Sequence, residues 1–227
     1  MPADSDVRVW FGVFLPQLRM SFDTILERTL AAEAAGFDSV WLMDHLAAPA
    51  APERAARLRE TLEILPRMFT GEPFDYVGEH YELTGAVGRP VPVQPRVPVH
   101  IGGAGPKLTM PLVREFADWW NCPSYAADRL GEVRPLAGDA RVSVQHPVGL
   151  AAADADRDDV AEIAARRFGS WGSVVTGTPS QVADALITDV ESGARGFVLQ
   201  FHDFGSTATL DRFMAEVAPA VRAAVAG

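Results

Sequence analysis

Three successive segments near the amino terminus restrict the folds open to this chain. Val7 to Leu15 (VRVWFGVFL) is a short β-rich run, and Ser21 to Ala35 places Phe22, Ile25, Leu26 and Thr29 on one helical face before Gly36 stops the helix. Phe37 to Met43 then reads as the next buried strand. Strand, helix and strand within about 35 residues form a βαβ unit, whose two strands pair in parallel through a right-handed crossover. A parallel sheet is covered on both faces, which demands a large apolar core. With 48% apolar residues in 227, the chain can fill one.

The same alternation continues. After the small, proline-rich AAPAAP, Glu53 to Phe69 is helical, and GEPFDYVGEHYEL alternates around Gly78 as a hairpin or extended excursion would. Val97 to Ile101, the ADWWN segment and Arg141 to Ala151 read as strands, with helices at Pro106 to Phe116 and Asp156 to Phe168. Thr178-Pro179-Ser180-Gln181 has the form of a capping box, and its helix runs to Gly193. Gly196 to Phe201 is the last strand, followed by a helix carrying Leu210, Phe213, Met214, Val217 and Val221. About six strands interleaved with helices give an α/β class with a mainly parallel sheet. A complete (β/α)8 barrel uses eight strands and about 250 residues. The expectation is a TIM-barrel-like (β/α) barrel shortened to about six strands, with residues 1–227 forming one domain.

Charge and cysteine content narrow the partners. A net charge of -10 disfavours nucleic acid and anionic membrane and favours a small-molecule substrate. The single cysteine, Cys122, rules out an intrachain disulfide and a cysteine-built zinc site. MPADSDV lacks the features of a secretory leader, and no apolar run reaches the roughly 18 residues of a membrane span. A cytoplasmic protein is expected.

Chemistry in parallel α/β folds gathers at the carboxyl ends of strands. VWLMDH ends a strand in Asp44 and His45, where an imidazole can relay a proton and a carboxylate can orient it. The pair serves equally well as a loop cap and a polar rim residue. Ile101-Gly102-Gly103-Ala104-Gly105-Pro106-Lys107 again lies between strand and helix: glycines admit an anion to backbone amides, and Lys107 adds a cation. A tight structural turn is the competing reading. Gly177-Thr178 precedes a third helix, where a cap alone suffices. His100 lies inside an apolar strand, His146 and His202 stand near strand ends, and His80 belongs to the hairpin; none has metal-ligand spacing.

FGVFLPQ, AAEAAGFDSVWLMDHL, FTGEPFDYVGEHYEL, PVHIGGAGPK, ADWWN and TGTPSQVADAL, in that order, resemble the bacterial luciferase-like monooxygenases, especially their deazaflavin-dependent branch. The resemblance implies a barrel fold, reduced FMN or coenzyme F420 as cofactor with F420 favoured, hydride transfer involving a small organic substrate, and a homodimer. It places His45 as a proton-moving catalytic residue and Asp44 beside the cofactor ring. Gly102, Gly103, Ala104, Gly105 and Lys107 match the phosphate loop, and Gly177 and Thr178 match a second turn near the cofactor tail. Family members carry about two further βα units after the DH strand, so the chain reads as shortened by an internal deletion near residues 47–53. A non-catalytic, cofactor-binding dimer is the alternative that this shortening raises.

Overall fold

The computed structural model describes residues 8–16, 20–42 and 51–226. Its elements are β1 (Trp10–Phe14), α1 (Phe22–Ala35), β2 (Ser39–Trp41), α2 (Ala51–Met68), β3 (Phe74–Val77), β4 (Glu82–Ala86), β5 (His100–Gly102), α3 (Thr109–Phe116), β6 (Trp119–Cys122), α4 (Ser124–Ala127) and α5 (Leu130–Val133). They continue with β7 (Arg141–Leu150), α6 (Arg157–Phe168), β8 (Val175–Gly177), α7 (Pro179–Glu191), β9 (Ala194–Phe201), α8 (Thr207–Arg212) and α9 (Ala218–Ala226). A π-helical turn, Phe213–Val217, joins α8 to α9.

Six parallel strands pair in the order β2-β1-β9-β7-β6-β5. This is the neighbour order of a ring opened between β2 and β5, where an eight-stranded barrel would hold two more strands. The six strands expected from the sequence are these six. A further three-residue strand, β8, pairs with the carboxyl end of β7. It is too short to show a pattern in sequence. The GEPFDYVGEHYEL segment is an antiparallel hairpin of β3 and β4 outside the main sheet.

Each helix cap follows from its residues. Ser21 Oγ accepts the Thr24 N–H at 3.2 Å at the start of α1, and Gly36, at φ 92°, ends that helix in the left-handed conformation that a side chain resists. Asp38, just beyond, accepts the Phe11 N–H at 2.9 Å and pairs with Arg8 and Arg222, tying β1 to α9. The hairpin hangs on Glu60 of α2, whose carboxylate accepts the N–H groups of Glu79, His80 and Tyr81 at 2.8–3.1 Å. Burial disfavours the Glu60 charge, but these donors outweigh it and hold its pKa below the ordinary glutamate value. The expected capping box forms at α7: Gln181 Oε1 accepts the Thr178 N–H at 3.0 Å, and the Thr178 hydroxyl also lies 3.2 Å from Ser180 Oγ. One face of α1 departs in part from expectation: Ile25 packs against the core as read, joined by Ala32, but Phe22 and Leu26 are exposed with Leu30. In a complete ring the helix of the next unit would lie beside α1.

The outer face of the sheet is apolar. Phe11 of β1 stacks on Phe197 of β9, and both meet Phe213 and Phe37 through a chain of rings 5.2–6.2 Å apart. Toward the barrel axis the residues alternate with these. There Trp10 of β1, Trp41 of β2, His100 of β5 and Trp119 of β6 form one cluster. His100 stacks on Trp119 at 5.6 Å and 8°, Trp41 meets His100 edge-on at 5.4 Å, and Trp10 touches all three. The contact from Trp41 to His100 spans the gap, since these residues belong to the two edge strands. Glycines make room for the rings. A Cβ on Gly196 would fall inside the Trp10 indole, and one on Gly12 would come within 2.5 Å of Trp41 Nε1.

Two expectations follow. Gly196→Ala should destabilise the fold by about 1–3 kcal/mol through overpacking, read as a lowered urea midpoint; an unchanged midpoint would show that the cluster yields freely. Burial pushes the pKa of His100 below its ordinary 6.5, against the opposing pull of Asp118. The unfolded chain therefore takes up a proton that folded His100 refuses, and stability falls as pH drops through about 6.5; half-buried His202 acts with the same sign. His100→Phe should flatten part of this slope in urea titrations between about pH 7 and 5. An unaltered slope would assign the effect elsewhere.

Candidate functional site

The strands are parallel, so the carboxyl ends of β5, β6, β7, β8 and β9 open on one side of the sheet. Gly102 ends β5 and leads into the glycine-rich loop. Gly103, at φ 113°, donates its N–H to the Asn121 carbonyl at 3.4 Å, and its own carbonyl accepts from Trp120 Nε1 at 2.7 Å. The buried Trp120 indole thus fixes the loop to β6. The Gly105 carbonyl accepts from the Thr109 and Met110 N–H groups, which starts α3 three residues later than the expected Pro106. Residues 106–108 form turns at its mouth.

Beside this loop lies a cavity of about 690 Å³, within the range of small-molecule sites. Gly102, Gly105 and Lys107 line it from the loop, Arg54 and Leu58 from α2, and Tyr125 from α4. No atom comes closer than 3.9 Å to a Cβ built on Gly102, so that backbone is open to the space. Arg54 and Lys107 are exposed and form no ion pair among the described residues, whereas nearby Arg57 and Arg59 are bound to Glu53 and Glu115. In a chain with net charge -10, two such cations on one cavity make it a local anion trap. Arg54 and Tyr125 had no visible motif. Arg54 is one of several arginines in ERAARLRE, and only the packing of α2 against the loop singles it out.

The structure brings Gly102, Gly105 and Lys107 together on this cavity and keeps Gly103 and Ala104 in the same loop, where they shape the turn. Gly177 and Thr178 stand at the carboxyl end of β8 on the same side of the sheet, outside the lining of the cavity. Gly177 is buried at φ 150°, and a Cβ there would reach Gln181 Oε1 at 2.6 Å, so packing alone accounts for this glycine. The two regions are linked through Ser124, whose Oγ donates to the Trp171 carbonyl at 2.6 Å, and through Gly172, which lies against the Tyr125 backbone. Asp44 and His45 lie outside the described residues.

The other histidines separate by position. His146 faces outward from β7 and pairs with Asp189 of α7 at 2.6 Å. His80 lies in the hairpin, bound through its backbone to Glu60. His202 follows β9; its N–H donates to the Val148 carbonyl at 2.7 Å, and its carbonyl accepts from Arg167. Asp203, beside it, is half-buried, yet bonds from Ser206 and Thr209 keep its pKa below the ordinary aspartate value and spend it on capping α8. Burial pushes the Cys122 thiol up to about 12, which leaves it a poor nucleophile. No His, Cys, Asp and Glu cluster able to hold a metal occurs among the described residues, nor does a helix long and apolar enough to cross a membrane.

Comparison with known proteins agrees with this architecture. Residues 48–171 match the family model described as luciferase-like monooxygenase. An F420-dependent glucose-6-phosphate dehydrogenase from Nocardia farcinica is 24% identical over 235 residues, covering 84% of this chain and 66% of the relative. Its counterpart from Gordonia bronchialis is 38% identical over 73 residues, covering 32% of this chain and 19% of that enzyme. The chain therefore spans less than two thirds of the length of these relatives. Among solved structures, an F420-dependent secondary alcohol dehydrogenase in complex with an F420-acetone adduct aligns with a TM-score of 0.70 at 17% identity, over 95% of this chain and 99% of that one. The coenzyme F420 dependent tetrahydromethanopterin reductase from Methanopyrus kandleri aligns with a TM-score of 0.72 at 14% identity, over 93% and 99%. With more than half of its residues matched by the family model and the strand order of an opened barrel, the chain belongs to the luciferase-like monooxygenase family.

Proposed function

We propose that residues 1–227 form one luciferase-like domain that binds a phosphorylated deazaflavin or flavin, F420 in preference to FMN, and exchanges hydride equivalents with a small organic substrate. The observation that carries this reading is the convergence of Arg54, Lys107 and the open backbone at Gly102 on one cavity at the carboxyl rim. Cations without an ion pair among the described residues, glycine backbone and a helix amino terminus are a donor set suited to phosphate. The F420-dependent relatives support F420 over FMN.

The bound ring would supply the hydride chemistry. The chain supplies the rest: Lys107 and Arg54 hold the phosphate, Gly102 to Gly105 keep side chains out of its way, and Gly177 and Thr178 meet the tail. His45 moves a proton at the reacting face with Asp44 beside it, as the family motif implies.

One observation favours a second reading, a protein that binds the cofactor without turnover. Trp10, Trp41, His100 and Trp119 occupy part of the barrel interior, and the ring lacks the wall that two further strands would provide. Catalysis tolerates little misplacement of its groups.

The exposed row of Phe22, Leu26 and Leu30 on α1 and the open edges of β2 and β5 support a homodimer, with localisation in the cytoplasm. Light scattering at micromolar concentration should give twice the chain mass; a stable monomer would overturn the dimer. Titration of F420 and FMN should show binding that Lys107→Ala and Arg54→Ala each weaken, by about tenfold for a lost charged contact. His45→Ala should keep affinity and lose turnover. Binding by neither cofactor would refute the reading, and binding without turnover in the parent protein would select the carrier.

A further inference from the structure

The rim cavity does not end at the glycine loop. Leu58 of α2 and Gly102 of β5, which line it, also line a second cavity of about 310 Å³, so the two spaces meet at these residues. The second cavity follows the free side of β5. Six consecutive residues, Val97 to Gly102, bound it on one side, and Leu58, Leu62 and Leu65 of α2 bound it on the other, with Phe69 just past the helix. Their spacing of three and four residues places them along one helical face. β5 is bonded to β6 and ends the sheet order, so this trough lies where a complete ring would seat its next strand. A third hollow, of about 380 Å³, shares Leu62, Leu65 and Phe69 with the trough and extends it to Phe116.

Polarity is divided along this path. At the rim stand Arg54 and Lys107, exposed and in no ion pair among the described residues. Along the trough only Thr61 and His100 carry polar side-chain atoms. Thr61 donates its hydroxyl to the Arg57 carbonyl of its own helix at 2.8 Å, and His100 lies stacked on Trp119. Pro98 has no N–H to leave idle. Water in such a trough finds few partners, and an apolar chain that displaced it would gain in proportion to the area it buried. A phosphate or carboxylate alone would fill only the cationic end.

We infer that the joined cavities bind a single-chain amphiphilic anion, a free fatty acid, with its carboxylate at Arg54 and Lys107 and its alkyl chain between α2 and the open edge of β5. One helix face and one strand edge leave room for one chain, whereas a bilayer lipid brings two. The inference does not rest on the cofactor reading, with which it shares only the two cations.

The test is calorimetric titration of the full chain with hexanoate, octanoate, decanoate and dodecanoate, each below its micellar concentration. Affinity should rise about fourfold for each methylene added. Dodecyltrimethylammonium, with the same chain and the opposite charge, should bind at least tenfold more weakly than dodecanoate. Lys107→Ala and Arg54→Ala should each weaken every acid by about tenfold while leaving the dependence on chain length intact. Leu58→Gln, verified as folded by its melting temperature, should flatten that dependence; the comparison of head groups needs no variant. Equal affinity across the acids, or equal affinity for the two dodecyl head groups, would overturn the inference. Binding to phosphatidylglycerol vesicles without binding of dissolved dodecanoate would overturn it in favour of a membrane surface. A protein that binds neither F420 nor FMN yet shows the chain-length series would sink the cofactor reading and leave this one standing.

Discussion

An incomplete ring of strands has to close its own interior, and here the closure is aromatic. β2 and β5 are the open edges, and no backbone ladder joins them among the described residues. Trp41 and His100 meet across the interval at 5.4 Å, backed by Trp10 and Trp119. Ring contact of this kind is directional enough to set the curvature of the sheet, and it needs no hydrogen bonds from the edges. The glycines at 12 and 196 belong to the same arrangement, because the rings occupy the space their side chains would have taken.

The aromatic cluster takes up one part of the interior face. The rim at the carboxyl ends keeps the glycine loop and two cations, Arg54 and Lys107, that form no ion pair among the described residues. Under the proposed function the phosphate would be held at this rim, so the missing wall of the ring would bear more on a substrate than on the phosphate contacts.

Much of this was legible in the sequence for physical reasons. Period-two and buried apolar runs identified all six barrel strands, and Ser21, Gly36 and Thr178 marked helix ends because capping uses a few residue types at fixed offsets. The loop of Gly102 to Lys107 was visible for the same reason. What the sequence hid was relational. The exposure of Phe22 and Leu26 depends on which neighbour α1 lacks, and a helical face cannot declare its partner. Arg54 and Tyr125 belong to no motif, and become notable only through what they face and what they lack.

The ring cluster also has an optical consequence. The chain has five tryptophans, and three of them, Trp10, Trp41 and Trp119, lie in contact with the single imidazole of His100. Indole emission depends on its immediate surroundings, and a protonated imidazole is an efficient quencher. The emission of these indoles should therefore report on the junction of the two edges and change when they part.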